Sequence, residues 1–241
     1  MNLINRGLFL FFFFISFNAQ GQTIRKSFLQ ESFDSAYFAN LQKEYGKGKK
    51  LPKGYEQQTL LALSYYPELK ETKIDFRIRR KSSPLMVRPT VGSAIFRSAK
   101  KRKYIVFISS YSPHVDSILM KNLPLDAQIG VLGHELAHVA FFKKKGRWGM
   151  MKVALGNFSR RYLDRIEFET DRSAIEHGLG WQLLCWSEFV RIKLRLERWR
   201  GADEYIHGKA SRPRARYMNP ETIRTVISES PVYHSSNQNA Y

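Results

Sequence analysis

Two histidines four residues apart, with a glutamate directly after the first, stand at His134, Glu135 and His138 in the run VLGHELAHVAF (131–141). On an α-helix, positions four apart lie about 40° apart around the axis and one turn along it, so both imidazoles can reach a single ion. Glu135 points about 100° from His134 and about 60° from His138, beside such an ion rather than onto it. A carboxylate in that place suits a general base acting on metal-activated water. The same helical wheel also supplies a face to bury, because Ile129, Leu132, Leu136 and Val139 gather opposite the histidines.

A tetrahedral zinc site with one open position needs a third protein ligand. Downstream, the stretch from Ile166 to Arg172 offers Glu167 and Glu169. Leu163, Thr170, Asp171, Ala174 and Ile175 fall within about 80° of Glu167, whereas Glu169 lies about 160° away among Arg165, Arg172 and Glu176. Glu167 is therefore the expected third ligand, and Glu169 belongs to a solvated face. Asp171, one turn after Glu167 on the same side, is placed to accept the second ring N–H of a zinc-bound histidine, which fixes its tautomer and orientation. A plain helix-face carboxylate paired with an arginine is the competing role for Asp171.

His134-Glu135-Leu136-Ala137-His138 on one helix with Glu167-Phe168-Glu169-Thr170-Asp171 on another resembles the gluzincin metallopeptidases. The likeness is closest to the branch of the CAAX prenyl proteases and the bacterial heat-shock and periplasmic metalloproteases. There the second motif typically reads Glu-[Phe/Tyr]-x-Ala-Asp; here Thr170 takes the alanine position, a small departure. The likeness spans about residues 125–178 and fits a minimal soluble form, since the multiple membrane spans of the best-known members have no counterpart. It implies a zincin-like domain with Zn2+ on His134, His138 and Glu167, Glu135 as general base, and a peptide or protein substrate. Related enzymes often place a tyrosine, histidine or arginine from a later segment near the oxyanion; His207, Arg216 and Tyr217 are the candidates. The competing function is a non-hydrolytic envelope-binding module with structural zinc, against which the intact Glu135 argues.

Strands should precede these helices. Lys73–Arg80 alternates apolar and charged residues, and Leu85–Arg97 and Lys103–Ser109 read as two more strands joined at the basic turn Ser98–Arg102. Residues 24–45 carry apolar positions at helical spacing, GKGKKLPKG (46–54) reads as a basic loop, and Gln57–Tyr66 as a helix halted before Pro67. Three further helices are predicted: about Leu125–Phe142, ending before a KKKGRWG loop, then Phe158–His177, stopped by Gly178, then Trp181 to about Arg200. Strands first and helices afterwards indicate an α+β domain, here a small antiparallel-containing sheet followed by two ligand-bearing helices.

At 241 residues, 43% apolar, the chain suffices for one domain, placed at 23–230. Arg6 followed by the apolar run Gly7–Phe17 and small residues reads as a secretory signal over 1–21, too short for the roughly 20 residues of a span. This points to an exported, periplasmic or envelope location. The stretch 231–241 is polar and expected to be a disordered tail. A single cysteine, Cys185, excludes an internal disulfide and a two-cysteine zinc clip, and its apolar surroundings make it a packing residue. The net charge of +19 favours anionic surfaces, whether envelope lipids met peripherally, acidic peptides or nucleic acid, without choosing among them, and a plain solvated surface is the competing reading of the basic runs. No nucleic-acid reader motif accompanies that charge.

Overall fold

The computed structural model describes residues 23–29, 33–90, 92, 98–113, 115–197, 199 and 217–235. The expected signal at 1–21, along with His114, His207 and Arg216, lies outside the described residues. Helices α1 (Ser35–Tyr45) and α2 (Glu56–Ser64) come first, followed by the strands β2 (Lys73–Arg79), β3 (Leu85–Pro89) and β4 (Lys103–Ser109). A two-residue strand β1 (Lys49–Lys50) forms inside the stretch read as a basic loop. Helices α3 (Leu125–Lys144), α4 (Arg147–Gly156), α5 (Arg160–Ala174), α6 (Gly180–Lys193), α7 (Pro220–Glu229) and α8 (Pro231–Ser235) complete an α+β architecture. No helix among the described residues is long and apolar enough to cross a membrane.

The sheet is mixed, in the order β1-β2-β4-β3. β1, β2 and β4 run parallel, and β3 lies antiparallel to β4 at the edge. Strict alternation on β2 sends Ile74 and Phe76 into the core, where Tyr104, Val106 and Ile108 of β4 join them. Of the predicted Leu85–Arg97 strand, β3 covers Leu85–Pro89, while 91 and 93–97 lie outside the described residues. The link to β4 is no tight turn, because Ala99–Lys101 form a single 3-10 turn.

α3 is the central pillar. From Ala127 to Ala140 every residue but Gln128 is buried, so the helix is enclosed on all sides rather than on the one face that its periodicity implied. Burying each leucine of this kind stabilises the fold by about 1.5–3 kcal/mol. Gly130 makes the closest approach possible, since a Cβ there would sit on the Gln182 carbonyl oxygen of α6. At the N-terminal end of α3, Asp126 accepts from Ser27 Oγ (2.6 Å) and from the Phe28 backbone N–H (3.0 Å), tying down the extended segment 23–29. At its other end the buried Arg102 donates to the carbonyls of Phe142 (2.8 Å) and Lys145 (3.1 Å), a cation placed where the helix dipole is negative.

The later helices depart from their predicted bounds for local reasons. The expected KKKGRWG loop shrinks to Lys145 and Gly146, and α4 follows at once. α5 starts after Ser159, whose hydroxyl accepts from the Tyr162 N–H, and ends in a wide turn over Ile175–Leu179. In that turn Gly178 has φ +93°, the left-handed conformation that a glycine stop supplies. α6 ends at Lys193 rather than near Arg200, and Arg195 turns the chain with φ 51°. Pro231–Ser235, assigned to a disordered tail, form α8 instead. Tyr233 is buried there, and its hydroxyl accepts from Gly180 N–H (2.6 Å) and donates to Ile175 O (2.9 Å). Cys185 is half-buried and packs against the core.

His177 lies in the wide turn, stacked on Tyr66 at 4.2 Å with its Nε2 2.9 Å from Glu68 Oε1. Burial works against a charged His177, yet the bond to Glu68 raises its pKa above the ordinary 6.5. Glu68 moves below 4.5: its own burial opposes this, and the bond to His177 prevails. On the histidine side the stabilisation is complete below pH 6.5 and fades as pH rises through the raised folded value. On the glutamate side it is complete above pH 4.5 and fades as pH falls through the lowered value. The melting-temperature gap between wild type and Glu68→Gln should therefore be widest between pH 4.5 and 6.5 and narrow in alkali; a gap that widens with rising pH would contradict the pairing. Gly130→Ala should destabilise by about 1–3 kcal/mol in denaturant titrations, since backbone must move. Gly133→Ala should cost less, because there the Cβ meets the flexible Leu179 side chain.

Candidate metal centre

The helical wheels of α3 and α5 bring His134, His138 and Glu167 together in one largely buried spot. Glu167 Oε2 stands 3.1 Å from His134 Nε2 and 3.2 Å from His138 Nε2. One ligand atom from each of these residues lies within 4.8 Å of the other two. The edge of a tetrahedron with metal–ligand bonds of about 2.0–2.1 Å is about 3.3 Å, so these spacings suit a shared ion. Among the described residues no other group of histidine, cysteine and acidic side chains converges in this way. Two imidazole nitrogens and a carboxylate oxygen can therefore hold a metal ion. Glu169 is exposed, as its place on the wheel requires.

Both imidazoles are oriented from behind. His134 Nδ1–H donates to Asp171 Oδ1 at 2.8 Å, within a site where both residues are almost wholly buried. His138 Nδ1 lies 3.2 Å from Thr170 Oγ1, and that hydroxyl donates its only proton to the Ile166 carbonyl at 2.7 Å. The ring nitrogen is thus the donor and the hydroxyl oxygen the acceptor. Each Nδ1–H has its own acceptor, which leaves both Nε2 atoms aimed at Glu167. Burial disfavours a charged His134, but Asp171 and Glu167 outweigh it and carry its pKa well above the ordinary value. Glu167 moves the other way: burial would raise it, and the two imidazoles hold it far below the usual carboxylate range.

Asp171 does more than accept from a histidine. Its Oδ2 accepts from the Met218 backbone N–H at 2.7 Å, so one buried carboxylate ties α3, α5 and the strand of chain before α7 together. That tie sets Tyr217 against the site, with its ring 5.4 Å from that of His134 and 5.3 Å from Trp186. Trp199 Nε1–H donates to the Tyr217 carbonyl at 2.5 Å and Asn219 Nδ2 to the Trp199 carbonyl at 3.2 Å, closing this wall. A cleft of about 300 Å3 results, lined by His134, Glu135, Trp186, Trp199, Tyr217 and Leu85 among others.

Glu135 faces this cleft. It is 6% exposed, and its Oε2 has no hydrogen-bond partner among the described residues. Burial raises its pKa; the two histidines and the Val87 backbone N–H pull it back without cancelling the shift. Val87 belongs to the edge strand. Ser109 N–H donates to Pro84 O and Thr90 N–H to Lys103 O, so even-numbered residues of this strand bond to β4. The backbone groups of Leu85 and Val87 consequently point to the open edge, beside Glu135.

Of the residues singled out in the sequence, His134, Glu135, His138, Glu167, Asp171 and Tyr217 come together, while His177 and His234 stand apart. Thr170 was missed as a histidine acceptor, although its inward place on the wheel was a signal. Met218 acts through its backbone, and nothing in a side-chain pattern marks it. Compared with protein-family models, with curated proteins and with solved structures, the chain finds no match.

Thr170→Ala should weaken metal binding by about tenfold in a chelator-competition titration, with Thr170→Ser restoring most of it. Unchanged affinity in Thr170→Ala would show that the hydroxyl plays no part in aiming His138.

Proposed function

We propose that this chain is a zinc-dependent metallopeptidase with a zincin-like domain, as its resemblance to the gluzincins implies. The observation that carries the proposal is the free oxygen of Glu135, buried beside the converged His134, His138 and Glu167 at the wall of an apolar cleft. A purely structural metal site has no use for an unpartnered acid of that kind, whose desolvation is costly. Zinc suits a donor set of two imidazoles and a carboxylate, and when bound it supplies a Lewis acid that polarises a carbonyl and acidifies water.

The chain's own groups divide the remaining work. Glu135 accepts a proton from the attacking water and delivers it to the nitrogen of the leaving amine. Asp171 and Thr170 hold the two imidazoles in register throughout, so no reorientation is needed during the reaction. An extended peptide can pair with the open edge of β3 through the Leu85 N–H and the Val87 carbonyl, because the Leu85 carbonyl accepts from Ser83 Oγ and the Val87 N–H serves Glu135. Tyr217 is the described candidate for donating to the carbonyl oxygen as charge develops there. The aromatic wall of Trp186 and Trp199 limits water and accepts an apolar side chain.

The test is Glu135→Gln. The purified variant should retain about one zinc per chain by elemental analysis and lose roughly a thousandfold in turnover of an unfolded protein substrate. Wild-type cleavage should stop on chelation and return with zinc. A variant that cleaves as fast as the parent would end the peptidase assignment.

A further inference from the structure

α4 carries apolar residues on two opposed faces, and only one of them is covered. Met150 and Val153 are buried against the body of the protein. Trp148, Met151 and Leu155, at spacings that gather within about 60° of one another, face outward. They are 74%, 49% and 69% exposed, and Phe158 just beyond the helix is 91% exposed. Scattered surface apolar residues need no explanation, but three large ones on one helical face with a fourth just past its end do.

The charges around this stripe say what covers it. Between Phe141 and Leu163 the sequence contains no acidic residue. Lys144, Arg147, Lys152, Arg160 and Arg161 are all exposed there. Arg147 and Lys152 fall on either side of the Trp148–Leu155 stripe, about 100° and 40° from Trp148. An apolar ridge on a convex helix, flanked by cations and carrying tryptophan and phenylalanine, has the composition of a helix that lies in the headgroup layer of a bilayer. Nucleic acid would meet the cations but leave Met151 and Leu155 without an apolar counterpart.

We propose that α4 and Phe158 form a docking surface for an anionic lipid bilayer. Trp148, Met151, Leu155 and Phe158 enter the interface, and the flanking cations meet the phosphates. α4 connects the two helices that hold His134, His138 and Glu167. The proposal stands independently of the peptidase reading, because bilayer attachment needs neither metal nor turnover.

The experiment uses the full chain with vesicles of phosphatidylglycerol mixed with brominated phosphatidylcholine. Wild-type tryptophan emission should be quenched on binding, and Trp148→Phe should lose most of that quenching. The exposed double variant Leu155→Ser/Phe158→Ser, checked for an unchanged melting temperature, should partition to the vesicles at least about tenfold more weakly. Vesicles without phosphatidylglycerol, or high salt, should also release the protein. Equal quenching in Trp148→Phe, or undiminished partitioning of the double variant, would place attachment elsewhere in the chain and overturn the proposal. Absence of vesicle binding together with a dimer that the double variant dissolves would overturn it too, by assigning the stripe to a second copy.

Discussion

A carboxylate sealed inside a protein has to find partners for both of its oxygens, and Asp171 meets that demand with groups from distant parts of the chain. One oxygen takes the His134 ring N–H and the other the Met218 backbone N–H. Leaving a buried charge uncompensated costs several kcal/mol, so this pairing strongly constrains the register of α5 against α3 and of the 217–219 segment against both. Glu167 lies one turn earlier on the same helix and inherits its direction from that register. The convergence on a common point and the wall contributed by Tyr217 thus share one electrostatic origin.

Rigidity and reactivity are divided between neighbouring positions of α3. Its buried leucines, the Gly130 approach to α6 and the Tyr66 hydroxyl on the Gly133 carbonyl (2.7 Å) hold the helix still. Against that fixed background Glu135 keeps an oxygen with no partner among the described residues, which costs stability that the surrounding core offsets. The histidines on either side have every ring nitrogen occupied. Glu135 is thus an acid with an unmet oxygen beside histidines whose ring nitrogens all have partners.

The surface is divided as well. The apolar cleft opens on the side of β3 and α6, whereas the exposed stripe of α4 lies on the link between the ligand helices. Cations concentrate along that link, so the net positive charge of the chain is not spread evenly over the fold.

Much of the centre was legible because its parts lie on helices, where a local period decides direction. Spacing alone paired His134 with His138, set Glu135 aside from both, and chose Glu167 over Glu169, which the fold leaves in solvent. Alternation likewise found the core face of β2, whereas β4, read as a strand, proves buried on both faces from Tyr104 to Ser109. Helix ends were harder: the break at Lys145–Gly146 and the turn at Arg195 depend on how the flanking segments pack, and α8 exists because Tyr233 reaches the turn before α6. Tertiary structure alone decided that β2 and β4 pair in parallel, that Thr170 accepts from His138, that Met218 completes Asp171, and that Trp199 and Tyr217 wall the cleft. Those contacts join residues far apart in the chain, and no periodicity within one segment encodes the position of another. What one helix faces can be read from its own residues; what meets it there depends on the whole chain folding around it.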